Sequence, residues 1–163
     1  MRDYQRYATV VAVFSAVLYA ALRVAAFGLI SLATNLEVIG EPGAGPLVGP
    51  AMSAAAVALV FILQLVLGVA TPPDRQRIAL GLAFASGIAA YGIFIATGGL
   101  LVAAGDGRPF HMLTFTASML ASPFAWATGI LAVVMTLAYS WLIASRFGEH
   151  GRPLWPWEHR DDL

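Results

Sequence analysis

Arg23 is the residue whose type and position most suggest chemistry. It interrupts an apolar stretch that runs from Ala8 to about Thr34 and carries no other charge. A stretch of this length and hydrophobicity can span a membrane. An arginine near the centre of such a span raises the free energy of membrane insertion by about 2.5 to 3.5 kcal/mol. Binding of an anion, such as a lipid phosphate or a substrate carboxylate, would offset that cost. The alternative, which we favour, is that Arg23 snorkels outward or holds polar groups together inside a helix bundle.

The helical period places Arg23 on a face of small and polar side chains. At about 100° per residue, the residues on or beside this face are Ala12, Ala16, Tyr19, Ala20, Ala26 and Thr34, and the bulky residues opposite are Phe14, Leu18 and Leu32. Arg23 is therefore predicted to point into the bundle rather than into lipid.

The hydrogen-bond partner of Arg23 is less clearly indicated by the sequence. The predicted acceptors are Tyr19, Tyr91, Thr97, Ser118 and the backbone carbonyls near Pro123. Gln64 is predicted to lie about 13 Å too close to the cytoplasmic side. Glu37 would reach Arg23 only if its loop folded back toward the membrane.

Other ionisable residues suggest no catalytic or metal site. One side of the predicted membrane holds carboxylates and one imidazole, namely Glu37, Glu41, Asp106 and His111. Such groups can bind a cation, but their spacing matches no metal motif. We interpret them as solvated loop charges. The glycines Gly43, Gly45 and Gly49 follow no predicted strand and no lysine follows them, so they do not indicate a phosphate-binding loop.

Several membrane-protein classes lack their essential residues in this sequence. There is no Cys, which excludes a disulfide oxidoreductase. No His lies deep in an apolar stretch, which disfavours b-type haem ligation and intramembrane serine or metalloproteases. No carboxylate lies there either, as a small proton-coupled exporter would require. We therefore predict no enzymatic activity, no catalytic residues and no cofactor.

The elements that must position Arg23 are four long apolar segments. Of the 163 residues, 60% are hydrophobic and only 11% are charged, whereas soluble domains carry about 25% charged residues. The segments span residues 8–34, 51–70, 78–104 and 112–145, and about 20 apolar residues suffice to cross a bilayer. Turn-forming residues separate them, including the Gly- and Pro-rich stretch 35–50. The sequence predicts an all-α, four-helix transmembrane bundle in a single domain.

The fourth segment is longer than a bilayer crossing requires. As one helix it would extend about 51 Å, and it contains Ser122 followed by Pro123. Either the helix kinks there, or Ser122 caps a new helix that begins at Pro123. We expect a continuous, kinked helix that protrudes on the outer side.

Arginines predict the orientation, with both termini in the cytoplasm. One side would hold Arg2, Arg6, Arg75, Arg77, Arg146, Arg152 and Arg160, and the other side only Arg108. Residues 146–163 then form a cytoplasmic tail, in which Trp155 and Trp157 are predicted to anchor at the membrane interface. A cleaved signal peptide is the alternative for the N-terminus, but the apolar character continues after Arg23. Nine basic residues balance nine acidic ones, so no nucleic-acid partner is expected.

Small residues four apart, such as Ala83 and Gly87, allow helices to approach closely in lipid. We interpret them as packing within the bundle rather than as a dedicated dimer face.

The stretch from Gly40 to Ala51, together with the Trp-rich tail, resembles small four-helix membrane proteins of uncharacterised function from actinobacteria. That resemblance implies a bacterial plasma membrane and no known activity.

Two hypotheses for function follow. The first is a non-enzymatic accessory or structural membrane protein, whose partners are the lipid bilayer and a second copy or a larger complex. The second is a small transporter or lipid- or anion-binding protein that uses Arg23.

Overall fold

The computed structural model describes residues 2–39, 45–71, 78–106 and 109–147. These residues form five helices and no strand: α1 (Arg2–Thr34), α2 (Val48–Ala70), α3 (Leu80–Asp106), α4 (Pro109–Leu120) and α5 (Pro123–Phe147). Four of them, all except α4, are long and apolar enough to cross a membrane. The predicted all-α bundle with four such helices is confirmed.

Neighbouring helices of the bundle are antiparallel, in the ring order α1, α2, α3, α5. A Cβ placed on Gly68 of α2 would lie 3.0 Å from the Cβ of Ala8 on α1. Arg23, 15 residues farther along α1, bonds to Ser53, 15 residues back along α2. This register fixes which residues of the two helices lie at the same level.

Small buried residues let the helices approach one another, and large apolar residues face outward. Ala8, Ala12, Ala56, Ala83, Ala90 and Ala132 are fully buried. On the opposite side of α1, Phe14 is 71% exposed and Leu32 is 86% exposed. Apolar side chains exposed on this scale would be a liability in water, but they suit a surface that contacts lipid.

The second helix begins earlier than the sequence indicated. The prediction that no helix would include any of residues 35–50 is wrong for residues 48–50, because α2 begins at Val48. Pro50 is tolerated there since the first N–H groups of a helix have no partner within it. At the end of α1, Asn35 has a φ of 55°, a left-handed conformation that commonly ends a helix.

The prediction of one continuous helix over residues 112–145 is wrong, and the alternative of a new helix that begins at Pro123 is the one the structure shows. The helix is interrupted at Ala121 and Ser122, and α5 starts with Pro123 in its first position. Proline's missing N–H costs no hydrogen bond there. The preceding helix, α4, packs back along α3. The two helices together therefore cover α3, with α4 against its second half and α5 against its first.

Contacts along α3 show this division. A Cβ on Gly99 would lie 2.7 Å from Oγ1 of Thr116 in α4. The hydroxyl of Tyr91 donates to the carbonyl of Leu120, at 2.7 Å, where α4 ends. Farther back, Gly87 packs directly against Gly129 of α5, in line with the interpretation of Gly87 as an intramolecular packing residue.

Candidate functional site

Arg23 is buried where α1 crosses α2. Its side chain is 2% exposed, in agreement with the prediction that it points into the bundle. Nη1 donates to the carbonyl oxygen of Ser53 at 2.9 Å, and Nη2 contacts the Ser53 hydroxyl oxygen at 3.4 Å. Among the described residues, no other hydrogen bond of Arg23 occurs, and its buried Nε has no partner.

Three aromatic rings surround the guanidinium group. Its central carbon lies 5.6 Å from the ring centroid of Tyr19, 5.0 Å from that of Phe27 and 5.2 Å from that of Phe94. Cations are attracted to ring faces at such distances, and the attraction strengthens when water is excluded. Phe27 also makes edge-on contacts with Phe94 and Phe124. The aromatic cluster thus links Arg23 on α1 to α3 and α5.

A surface groove adjoins the buried guanidinium. It encloses about 270 Å³ between α1 and α2 and is lined by Ala20, Arg23, Val24, Phe27, Ser53, Ala54 and Val57. Val24, with 73% of its side chain exposed, marks the outward side. Arg23 and Ser53 supply the polar groups of this lining, and the remaining residues are apolar.

No carboxylate of the described residues neutralises Arg23. The four candidate spans contain no Asp or Glu, and Glu37 lies exposed beyond the end of α1 and forms no ion pair with Arg23 in the described part of the chain. Within the described ranges, the partners of the guanidinium are therefore all neutral: a carbonyl, a hydroxyl and ring faces.

None of the predicted side-chain acceptors accepts a hydrogen bond from Arg23 within the described ranges. Tyr19 supplies its ring to Arg23, while its hydroxyl donates to the carbonyl of Thr128 at 2.9 Å. Tyr91 donates to Leu120, and Ser118 donates to the carbonyl of Phe115. Thr97 forms no hydrogen bond with Arg23 within the described ranges. The sequence prediction missed Ser53, although counting residues inward from the predicted cytoplasmic ends places it near the level of Arg23.

A second buried polar group, Gln64, lies farther along α2 toward the C-terminal end of that helix. The Gln64 side chain is 0% exposed, and neither its amide nitrogen nor its amide oxygen has a partner among the described residues. The α1–α2 register places Gln64 level with Ala12 and about one turn from the buried Ser15, whose hydroxyl also lacks a partner. As predicted, Gln64 is too far along α2 to meet Arg23.

The remaining candidates do not assemble into a site. No group of three or more metal-binding side chains occurs within the described residues. Glu41, Trp155 and Trp157 lie outside the described residues, as do the side chains of Asp106 and His111. The interfacial anchoring of the two tryptophans remains a prediction.

Comparison with known proteins identifies a family and nothing closer. The sequence matches a family of unknown function, DUF6121, over residues 1–163. The chain belongs to this family. No curated protein and no solved structure matches it. Membership in DUF6121 agrees with the expected uncharacterised family and assigns no activity to Arg23 or to any other residue.

Proposed function

We propose that this chain is a non-enzymatic accessory or structural component of the bacterial plasma membrane. It crosses the bilayer four times with both termini in the cytoplasm, and it acts by packing against a second copy or the subunits of a larger complex. Nucleic acid is not among the proposed partners.

The observation that carries this proposal is that several buried polar side chains bond one helix to another. Tyr19 donates to the Thr128 carbonyl, and Tyr139 donates to that of Ala8. Ser86 and Thr136 share a hydrogen bond of 2.9 Å between α3 and α5. These groups join helices to one another, as expected of a packing unit rather than of a reaction centre.

Purification in a mild detergent tests the proposal. The expected result is a stable homo-oligomer, or an assembly with other membrane subunits at fixed ratios, in size-exclusion chromatography with light scattering. A monodisperse single chain with no associated subunit would contradict it.

Cysteine cross-linking in native membranes locates the contact face between copies. The chain has no native Cys, so single substitutions can be placed at exposed residues on three helices: Phe14→Cys on α1, Ile62→Cys on α2 and Ile130→Cys on α5. A homo-oligomer should give a disulfide-linked dimer from one face and not from the others. Equal cross-linking at all three positions would indicate random collisions and contradict a specific interface.

A second candidate function is lipid or anion binding, including a role as a small transporter. It is favoured by Arg23, whose partners in the described part of the chain are all neutral and whose Nε has no partner there. Arg23→Ala should then abolish binding or uptake of the anion while the protein still inserts and folds. Unchanged binding or uptake in that variant would contradict this candidate.

A further inference from the structure

The groove between α1 and α2 gives Arg23 a route to the surrounding lipid. We propose that this groove binds an amphiphile from the bilayer, with its anionic head at Arg23 and its alkyl chain between the two helices. This inference rests on the second candidate function and adds the class of ligand and its path of entry.

Charge is the first argument. A buried guanidinium with neutral partners leaves a positive potential in a medium of low dielectric constant, where attraction for an anion is strong. Nε of Arg23 has no partner among the residues that the structure describes, and the long 3.4 Å contact of Nη2 with Ser53 is weak. A phosphate or a carboxylate could accept charge-assisted hydrogen bonds from both groups after a small shift of the side chain.

The shape of the groove is the second argument. Ala20 and Ala54 are short side chains on facing helices, and they leave the depression of about 270 Å³ that reaches Arg23. The rest of the lining is Val24, Phe27 and Val57 beside the polar Arg23 and Ser53. This arrangement combines a mainly apolar channel with a cationic end, which matches the two parts of an amphiphile.

Depth is the third argument, and it separates an amphiphile from a dissolved anion. Ser53 lies five residues after Val48, so the site is about 8 Å along α2 from the start of that helix. Under the proposed orientation this is the outer half of the bilayer. Either anion must lose hydration water to reach this level. An alkyl chain that already lies in lipid holds its head group beside the groove, whereas a dissolved ion has no such anchor.

The shared chemistry is a single anionic head on an alkyl chain, and the head could belong to a phospholipid or to a free fatty acid. Binding of phosphatidylglycerol, oleate and inorganic phosphate, with phosphatidylcholine as the neutral-headed comparison, distinguishes these sources. Native mass spectrometry of the full chain, released from detergent micelles containing each compound, measures the bound fraction.

Three variants test the site. Arg23→Gln removes the charge, and Ala54→Leu fills the groove without altering Arg23. Ala58→Leu is the matched control, because Ala58 is exposed on the same helix one turn from Ala54 and does not line the groove. Circular dichroism and size-exclusion chromatography confirm that each variant is folded.

The expected result is a bound fraction of oleate or phosphatidylglycerol well above that of phosphatidylcholine, and no binding of inorganic phosphate. Arg23→Gln should weaken binding about tenfold, which corresponds to the loss of one charge-assisted hydrogen bond. Ala54→Leu should weaken it by a comparable factor, because the larger side chain occupies the space of the alkyl chain. Ala58→Leu should bind like the unmodified chain.

Other outcomes overturn the inference in distinguishable ways. If Arg23→Gln weakens binding and Ala54→Leu does not, Arg23 binds anions but not through this groove. Binding of inorganic phosphate that equals binding of oleate would remove the need for an alkyl chain. If all three variants bind as the unmodified chain does, both the groove and the underlying anion-binding function are wrong.

Discussion

At the scale of single residues, the physical problem is a charge inside an apolar bundle. Placing Arg23 there costs about 2.5 to 3.5 kcal/mol on insertion scales. A hydrogen bond to a charged group contributes about 1.5 to 3 kcal/mol, and a desolvated cation–ring contact contributes up to about 2 kcal/mol. The bond to the Ser53 carbonyl and the rings of Tyr19, Phe27 and Phe94 are therefore of the right size to keep Arg23 charged within the bundle.

The direction of Arg23 could be predicted from the sequence, but its partner could not. Direction follows from the helical period, since Arg23 shares a face with Ala12, Ala16 and Tyr19, all of which are buried. The partner depends on how far α2 is shifted along α1, and that register is set by contacts such as Ala8 with Gly68. A single sequence does not specify these contacts between distant segments.

The burial of Gln64 leads to a prediction about stability at this scale. Its amide is fully buried and both of its polar atoms lack partners among the described residues, an arrangement that costs about 1 to 3 kcal/mol. Gln64→Met keeps the length of the side chain and removes the unbonded groups. The variant should therefore be more stable, with a higher midpoint temperature for thermal unfolding in detergent.

The matched control is Gln5→Met. Gln5 is exposed near the start of α1, so its amide is not desolvated in the folded protein. A lower midpoint temperature for Gln64→Met than for the unmodified chain would contradict this account, since it would mean that the amide forms stabilising bonds in the folded protein.

At the scale of helices, the close approach of α3 and α5 depends on glycines, which have no Cβ. A Cβ at Gly87 would lie 2.9 Å from the carbonyl oxygen of Gly129 and would overlap with Val133. Backbone cannot yield as a flexible side chain can, so the contact between α3 and α5 would have to open. The break before Pro123 belongs to the same scale, and the expectation of a continuous helix failed because proline is compatible with both a kink and a helix start.

Substitution of two glycines in α3 tests the packing directly. Gly87→Ala should lower the free energy of unfolding by about 1 to 3 kcal/mol, as expected for overpacking. Gly92→Ala is the control, because a Cβ there meets nothing within 4 Å, and it should be neutral or slightly stabilising. Unfolding in mixed micelles measures both. Equal effects of the two substitutions would show that α3 and α5 are not in contact at Gly87.

At the scale of the whole molecule, the four apolar segments were predictable because bilayer thickness sets a minimum helix length. The structure places four helices of sufficient length over Tyr4–Thr34, Val48–Ala70, Leu80–Gly105 and Pro123–Ser145. A separate helix α4 was the less favoured alternative in the sequence analysis, because its residues are as apolar as those of a span and only packing against α3 distinguishes them.

The central claim is that the chain crosses the bilayer four times with both ends inside, and cysteine labelling in intact cells tests it most directly. Single cysteines can be placed in this Cys-free chain at Gln5, Gly45, Thr71, Phe110 and Ser145. A membrane-impermeant maleimide should label Gly45→Cys and Phe110→Cys in intact cells, and should label the other three only after permeabilisation. Labelling of Gln5→Cys from outside intact cells would contradict the proposed topology.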